Sequence, residues 1–565
     1  TPIEHHNPME PSATMAIWEN DRLLIYDTTQ GVSTTADLLG QAWGTKDIQV
    51  ITKYLGGGFG CKGSVWNHQL MALMAAKKTK RPVKLVLTRQ QMFTGVGHRA
   101  ATIQEISLGA AKNGALQAVE HLITNNTSVD KDYSERSAVS TRMIYQCENL
   151  SARHRLVKLN FQVPTFMRAP GECSGSAALE SAMDELSVQL AMDPIELRLK
   201  NYADADQNAG KPYSSKSLKE CYEKGAAQFG WKRRKPQPRA QREGDEWVGY
   251  GMATATYPAN RFAAQASVVL SANGKVKVRC ATQDIGTGSW TIFTQLAADC
   301  LGVSADQVDL DIGDSKFPKG SVSGGSSTAS SVGSAIQRAC MKIKAELAQG
   351  AIKSVDSPLY QSAVEDLAFH GGRLESTRDP KKGVATSELF KIAKKDQLEA
   401  EGEMKMERSE TEGYSTHAFG AQFAEVRVHA LTGQVRVTKM TGAFACGRIL
   451  NSKTAESQFM GGMIFAIGQA LMEESLLDLR SGRLAIKDLA DYHVPVNADV
   501  PKMDIIMVEE DDPHVNPIGT KGIGEIGVVG VAAAIANAVF NATGVRIRDF
   551  PLTPDKVMAG LGPLV

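Results

Sequence analysis

The residues of this sequence best suited to chemistry are four glycine-rich loops and one acid. The first loop, Leu55-Gly-Gly-Gly-Phe-Gly-Cys-Lys-Gly63, lies between an apolar strand read at 47–55 and a helix read at 65–77. Such a turn exposes backbone N–H groups near a helix N-terminus, which suits an anion. It does not match the common nucleotide loops. A phosphate loop needs its lysine after the last glycine, and here Lys62 precedes Gly63. The dinucleotide spacing fits Gly58, Gly60 and Gly63, but residues 61–100 contain no Asp or Glu to hold a ribose. The other loops are Thr282–Gly288, Ser323–Gly333 and Gly519–Gly527. Singly, each reads as a turn packing a helix on a strand. Together they suggest a ligand with several anionic or polar groups, held from many directions. Glu525 sits in the last loop, at the start of an apolar helix. A helix N-terminus favours its ionised form, and burial raises its pKa. Such a carboxylate can be a general base, although a helix N-terminal charge is the simpler reading of sequence alone.

Three hairpins and several helices must position these loops. The hairpins span 104–121, 265–280 and 422–437, turning at Asn113-Gly114, Asn273-Gly274 and Thr432-Gly433. The last two look alike, through either a distant internal repeat or common hairpin chemistry; the second is preferred. Helices are read at 175–192, 457–473 and 528–543. Hairpins mixed with helices, without regular βα alternation, argue for an α+β fold. The basic, proline-containing segment 231–247 reads as a solvated linker and domain boundary. Residues 352–405, rich in Lys and Glu, read as surface helices or an insertion.

The chain has 565 residues, 60.8 kDa, and 42% hydrophobic residues, which is ordinary for globular protein. Sixty-three Lys+Arg against 62 Asp+Glu give a formal charge of +1, so no general attraction to nucleic acid or anionic membrane is expected. Eight dispersed cysteines, without a C-x-x-C pair, exclude a recognisable zinc or iron–sulfur ligand run. No apolar run of ~18–20 residues is read, so no membrane span is expected. The opening Thr1-Pro-Ile-Glu-His-His is not a signal peptide and lacks an initiator Met. The chain therefore reads as a piece of a longer or processed protein, or one preceded by further residues.

Eight motifs occur in one order: His6-Asn-Pro-Met-Glu-Pro11, Asp27-Thr-Thr-Gln30, Gly56-Gly-Gly-Phe-Gly60, Met167-Arg-Ala-Pro-Gly171, Gln283-Asp-Ile-Gly-Thr-Gly288, Gly325-Ser-Ser-Thr328, Gln458 and Lys521-Gly-Ile-Gly-Glu525. With them the chain resembles the molybdenum-binding subunit of the xanthine dehydrogenase/aldehyde oxidase family, most like bacterial three-subunit aldehyde dehydrogenases. The resemblance implies two large α+β domains, 1–235 and 236–565, with a molybdopterin cofactor between them, in bacteria often the cytosine dinucleotide. It implies Gln30, Gly58 and Phe59 beside the molybdenum, and Met167, Arg168 and Ala169 on its other side. Gly286, Thr287 and Gly288, with Gly325, Ser326, Thr328 and Gln458, would hold the pterin and its phosphates. Lys521, Gly522 and Gly524 would complete the cofactor contacts. No side chain is expected to ligate the metal, because a pterin dithiolene holds it; His5 and His6 are not proposed as ligands. Glu525 falls on the family's catalytic glutamate, the base that activates the attacking, water-derived oxygen.

An aldehyde is the substrate this resemblance favours, with an N-heterocycle or purine as the alternative. Purine-oxidising relatives carry a glutamate where this chain has Gly63, and carbon monoxide dehydrogenases carry a cysteine where it has Ala169. Tyr257, Arg261 and Arg136 are the candidate substrate contacts. The resemblance also implies a [2Fe–2S] subunit, a FAD subunit and a chain or fragment supplying a missing N-terminal domain. Localisation stays open between cytoplasm and a periplasm reached by export with a partner. A non-catalytic scaffold or cofactor-binding remnant is the competing class.

Overall fold

The computed structural model describes residues 1–405 and 413–561. Its larger part is one unit built twice. The first copy opens with the antiparallel strands Ala264–Ser271 and Val276–Cys280. Helix Ser289–Leu301 follows, then strand Val308–Ile312, parallel to Val276–Cys280, then helix Thr328–Lys353. The second copy has hairpin His417–His429 and Val435–Ala445, helix Ser452–Leu471, parallel strand Lys502–Val508 and helix Val531–Thr543. An outer antiparallel strand completes each sheet: Gln397–Met404 beside the first hairpin, Glu246–Pro258 beside the second. The likeness of the two hairpins is therefore a structural repeat, which corrects the reading of it as shared turn chemistry. The turn is only the visible part of a common pairing order.

Both copies seat their second helix on the outer strand at glycines. A Cβ at Gly402 would lie 2.6 Å from the Ala339 nitrogen, and one at Gly249 would lie 2.5 Å from the Ala542 nitrogen. At Gly251 it would strike the Ala534 carbonyl and Ala538 nitrogen. Only glycine facing alanine lets the two backbones come this close, and the core gains contact along both surfaces. The stretch Ile526–Thr543 is 18 residues long with mean hydropathy 1.7, which corrects the expectation that no such run exists. It is 94% buried inside the protein, so its apolarity is that of a core helix.

The N-terminal part carries a four-stranded sheet in the order Ile48–Ile51, Arg22–Asp27, Ala13–Glu19, Val83–Val86. Helices Val32–Trp43 and Asn67–Thr79 pack beside it. A three-stranded sheet, Thr102–Ala110, Leu116–Ser128 and Asn149–Leu159, contains the first predicted hairpin. Helix Glu172–Gln189 begins three residues before its predicted start. The predicted strand 47–55 is only four residues long, because the chain leaves the sheet toward the glycine loop.

Residues 352–405 are not surface helices: four strands and one short helix alternate with irregular connections. They form a small sheet (Leu367–His370, Arg373–Ser376, Gly383–Ala385), one short helix, Thr386–Ala393, and the outer strand Gln397–Met404. The glutamates that suggested a helix are the solvent face of that edge strand, while Leu398, Gly402 and Met404 face inward. The 231–247 segment is docked, not free: Arg239 N donates to the Asn541 carbonyl at 3.0 Å, and Asn541 Nδ2 to the Lys235 carbonyl at 2.9 Å.

Gly251→Ala is expected to destabilise the protein by about 1–3 kcal/mol, since helix Val531–Thr543 has no room to shift. A lowered midpoint in chemical denaturation checks this; an unchanged midpoint refutes the close approach.

Candidate functional site

At one end of both repeats, the loops after the hairpins and the loops before the second helices meet two N-terminal loops. Between them lies a cavity of about 2090 Å³. Four non-glycine residues at or beside it have positive φ: Asn7 at 40°, Phe59 at 55°, Ala169 at 56° and Ser326 at 53°. Such conformations cost energy and persist where surrounding structure over-determines them. Here the two N-terminal loops brace each other. Gly60 has φ 119°, and a Cβ there would collide with the Phe166 carbonyl. Arg168 N donates to the Phe59 carbonyl at 3.0 Å.

Glu525 is the best-held acid on the cavity wall. Its Oε1 accepts from Ala169 N at 3.1 Å, and its Oε2 from Ser326 Oγ at 2.7 Å. Burial raises its pKa above the ordinary carboxyl value, opposed by hydrogen bonds from Ser326, Tyr257 and Ala169 and by the charge of Arg168. Tyr257 ends strand Glu246–Pro258 and turns its ring to the cavity. Arg168 donates through Nε to the Gly524 carbonyl at 2.6 Å and through Nη2 to the Gln458 carbonyl at 2.8 Å. Burial lowers its pKa to about 10, so it remains a cation at neutral pH beside Glu525.

Gln30 lines the cavity with its amide largely engaged. Oε1 accepts from Gly60 N at 2.9 Å, and Nε2 donates to the Ser323 carbonyl at 2.8 Å. Gln283, not named from sequence as a site residue, donates through Nε2 to the Gln30 carbonyl at 2.5 Å and to Ser323 Oγ at 2.6 Å. It ties the first repeat to the N-terminal part. Asp284 was also missed. Its Oδ1 accepts from the backbone N–H groups of Gly286, Thr287 and Gly288 at 2.7, 2.9 and 3.3 Å. These are the donors the sequence reading assigned to cofactor phosphates, and they are already occupied. The Asp-x-Gly-x-Gly spacing itself signals such a cap. Helix Thr328–Lys353, in contrast, opens onto the cavity with no side-chain cap, leaving a positive helix end toward it.

The cavity brings together most of the predicted residues. Gly58, Phe59, Met167, Gly286, Thr287 and Gly325 line it, as do Ser326, Thr328, Gln458, Gly522, Gly524 and Arg136. Ala169 contributes through its N–H to Glu525 and not as lining. Gly288 and Arg261 do not line it, although Asn260 and Phe262 do. Lys521 points its ammonium elsewhere. Nζ lies 2.5 Å from Ser215 Oγ, 2.7 Å from Glu510 and 3.3 Å from Asp512, with no side-chain exposure. Its amphipathic length is used to anchor the loop from behind, so only its backbone faces the cavity. Glu172, absent from the sequence reading, also lines the cavity and is 5% exposed.

Two family models described as molybdopterin cofactor-binding domain match residues 1–202 and 224–501. The chain is 37% identical to the aldehyde oxidoreductase molybdenum-binding subunit PaoC of Escherichia coli (strain K12), covering 100% of this chain and 75% of that protein. It is 30% identical to the xanthine dehydrogenase molybdenum-binding subunit of Escherichia coli O157:H7, over 99% of this chain and 75% of the relative. Among solved structures, the aldehyde oxidoreductase from Desulfovibrio gigas is similar at TM-score 0.82 and 26% identity, over 99% of this chain and 60% of that one. Quinoline 2-oxidoreductase from Pseudomonas putida 86 shares the fold at TM-score 0.88 and 24% identity, over 99% and 75%.

Lys521→Met would leave Glu510 and Asp512 buried without their cation. A loss of about 3–5 kcal/mol in stability is expected, seen as a lowered thermal midpoint. A midpoint equal to that of the unmutated protein would return Lys521 to the cavity.

Proposed function

This chain belongs to the family of molybdopterin-binding, molybdenum-dependent oxidoreductase subunits, and from that premise we propose that its cavity oxidises a small aldehyde to a carboxylic acid, with water as the oxygen source. The observation that carries this reading is Glu525. It is a half-buried carboxylate with both oxygens oriented by donors, facing a cavity large enough for a cofactor and a substrate. The 37% identity to an aldehyde oxidoreductase subunit supports the aldehyde as substrate.

The residues present fit a large anionic cofactor. The uncapped start of helix Thr328–Lys353 suits a phosphate. A Cβ at Gly286 would meet nothing within 4 Å, so any side chain there would occupy the cavity itself. The family cofactor is molybdenum with molybdopterin; we read it here in the cytosine dinucleotide form. Gly325, Ser326, Thr328, Gln458, Gly522 and Gly524 would hold its pterin and phosphates. Gln30, Gly58, Phe59, Met167 and the Ala169 backbone would surround the metal. When bound, the molybdenum centre supplies two-electron acceptance and oxygen transfer, which no side chain can provide.

The chain's own groups do the proton work. Glu525 accepts the proton of the attacking oxygen, while the Ala169 N–H and the Ser326 hydroxyl hold the carboxylate in one orientation. Arg168 keeps a positive charge beside it, which limits how far burial can raise its pKa. Only the ionised form can accept a proton, so rate should rise as pH climbs through a pKa above the ordinary carboxyl value. Tyr257 and Arg136, which line the cavity, are assigned to the substrate in this reading. The family names describe subunits of larger complexes. We assign the onward electron path to a [2Fe–2S] subunit, then a FAD subunit.

Glu525→Gln should retain molybdenum and pterin while turnover falls by about 10²–10⁴ or more. Metal analysis with aldehyde-dependent dye reduction checks this, and near-normal turnover would remove Glu525 from the mechanism. A panel of aromatic and aliphatic aldehydes, purines and N-heterocycles tests the substrate class. A metal-free, inactive complex would favour the scaffold.

A further inference from the structure

Two buried carboxyls on the cavity wall, Glu172 and Glu473, are not used by the mechanism above, and Glu172 is the one beside Glu525. Glu172 is the first residue of helix Glu172–Gln189 and is 5% exposed, on the cavity. The backbone before it has no freedom to move it. Gly171 has φ 92°, and a Cβ there would lie 2.7 Å from the Arg136 carbonyl. The Gly171 N–H is held by Glu135 Oε1 at 2.7 Å, and the Ala169 N–H by Glu525. One rigid loop therefore orients Glu525 through its Ala169 N–H and carries Glu172 to the same chamber. Among the described residues Glu172 forms no ion pair, in contrast to Glu4 and Glu135, which share Arg99.

The ionisable groups around it explain its state. Burial is the largest influence and pushes its carboxyl up to about 8, with Glu525 and Glu135 adding to the rise and Arg99 and its own backbone N–H opposing it. Tyr257, from the neighbouring strand, is raised by burial and then by Glu525 and Glu172, so all three share the chamber. Tyr133 and Arg136 line it from the loop that carries Glu135.

We propose that Glu172 is a substrate-contacting acid, which donates its proton in a hydrogen bond to an acceptor oxygen of a small carbonyl substrate beside Glu525. Two carboxyls thus take opposite roles, one giving a hydrogen bond and one removing a proton. The residue selects substrates that present an acceptor, and it supplies a buried acid even though position 63 is glycine. This inference rests on the oxidoreductase reading of the cavity.

The test uses benzamide, a carbonyl compound without the oxidisable C–H, titrated calorimetrically into the purified holo-complex from pH 6 to 9.5. Unmutated protein should bind about 2- to 10-fold more weakly as pH rises through about 8, because the donor is lost on ionisation. Glu172→Gln keeps a donor at every pH and should flatten that limb. Glu172→Leu should bind about 2- to 10-fold more weakly at pH 7, with molybdenum content unchanged. Equal affinity of Glu172→Leu and unmutated protein, or an intact alkaline limb in Glu172→Gln, overturns the role of Glu172. Aldehyde turnover on the same unmutated preparation separates the readings: turnover with either of those results rejects Glu172 alone, and no turnover rejects the reading beneath it.

Discussion

The geometry of the site depends on one buried guanidinium. Arg99 is fully buried and donates to Glu4 Oε2 at 2.9 Å, Glu135 Oε1 at 3.3 Å and the Arg168 carbonyl at 2.9 Å. Burial opposes its charge, but its neighbours, Glu4 and Glu135 among them, outweigh that and keep it protonated. Its planar fork reaches three partners that a lysine could not satisfy together. Through Glu135 and the Arg168 carbonyl it fixes residues 168–171. That loop aims the Ala169 N–H at Glu525 and delivers Glu172 to the cavity. Glu525 and Glu172 on the cavity wall thus rest on two further carboxyls, Glu4 and Glu135, held beneath them by Arg99.

The duplicated unit explains why the cavity lies where it does. Each copy places the turn after its hairpin and the turn before its second helix at the same end of its sheet. Four loops therefore converge at that end, the two before the second helices, 313–327 and 509–530, being the longer. The copies are not used alike. In the first, Asp284 absorbs the loop N–H groups, while helix Thr328–Lys353 stays open. In the second, the open turn carries Glu525, and Lys521 anchors it from behind through Glu510 and Asp512. An anion end and a base end follow from one architecture by a few polar substitutions.

Much of this was legible from residue order. The three hairpins, the long helices and Glu525 sit where alternation, helical spacing and the Lys521-Gly-Ile-Gly-Glu525 turn place them. Local patterns report local structure, because turn chemistry and hydrophobic period act over a few residues. They misled at Gln397–Met404, where the glutamates of a Lys- and Glu-rich segment are the solvent face of an edge strand. The apolar stretch read as a helix at 528–543 is the buried core helix Val531–Thr543, although the run Ile526–Thr543 is longer than the sequence reading allowed.

What the sequence by itself determined is the set of groups available: donor-rich glycine loops, one acid beside an apolar helix, and motifs in the order of a molybdenum-binding subunit. Only the tertiary structure decided which of those groups are free. The N–H groups of Gly286, Thr287 and Gly288 are spent on Asp284, and the Lys521 ammonium on Glu510. Glu172, unremarkable in a helix start, becomes a cavity acid. Hydrogen-bond partners hundreds of residues apart are set by packing, and burial, with Glu525 and Glu135 nearby, pushes the Glu172 carboxyl up to about 8.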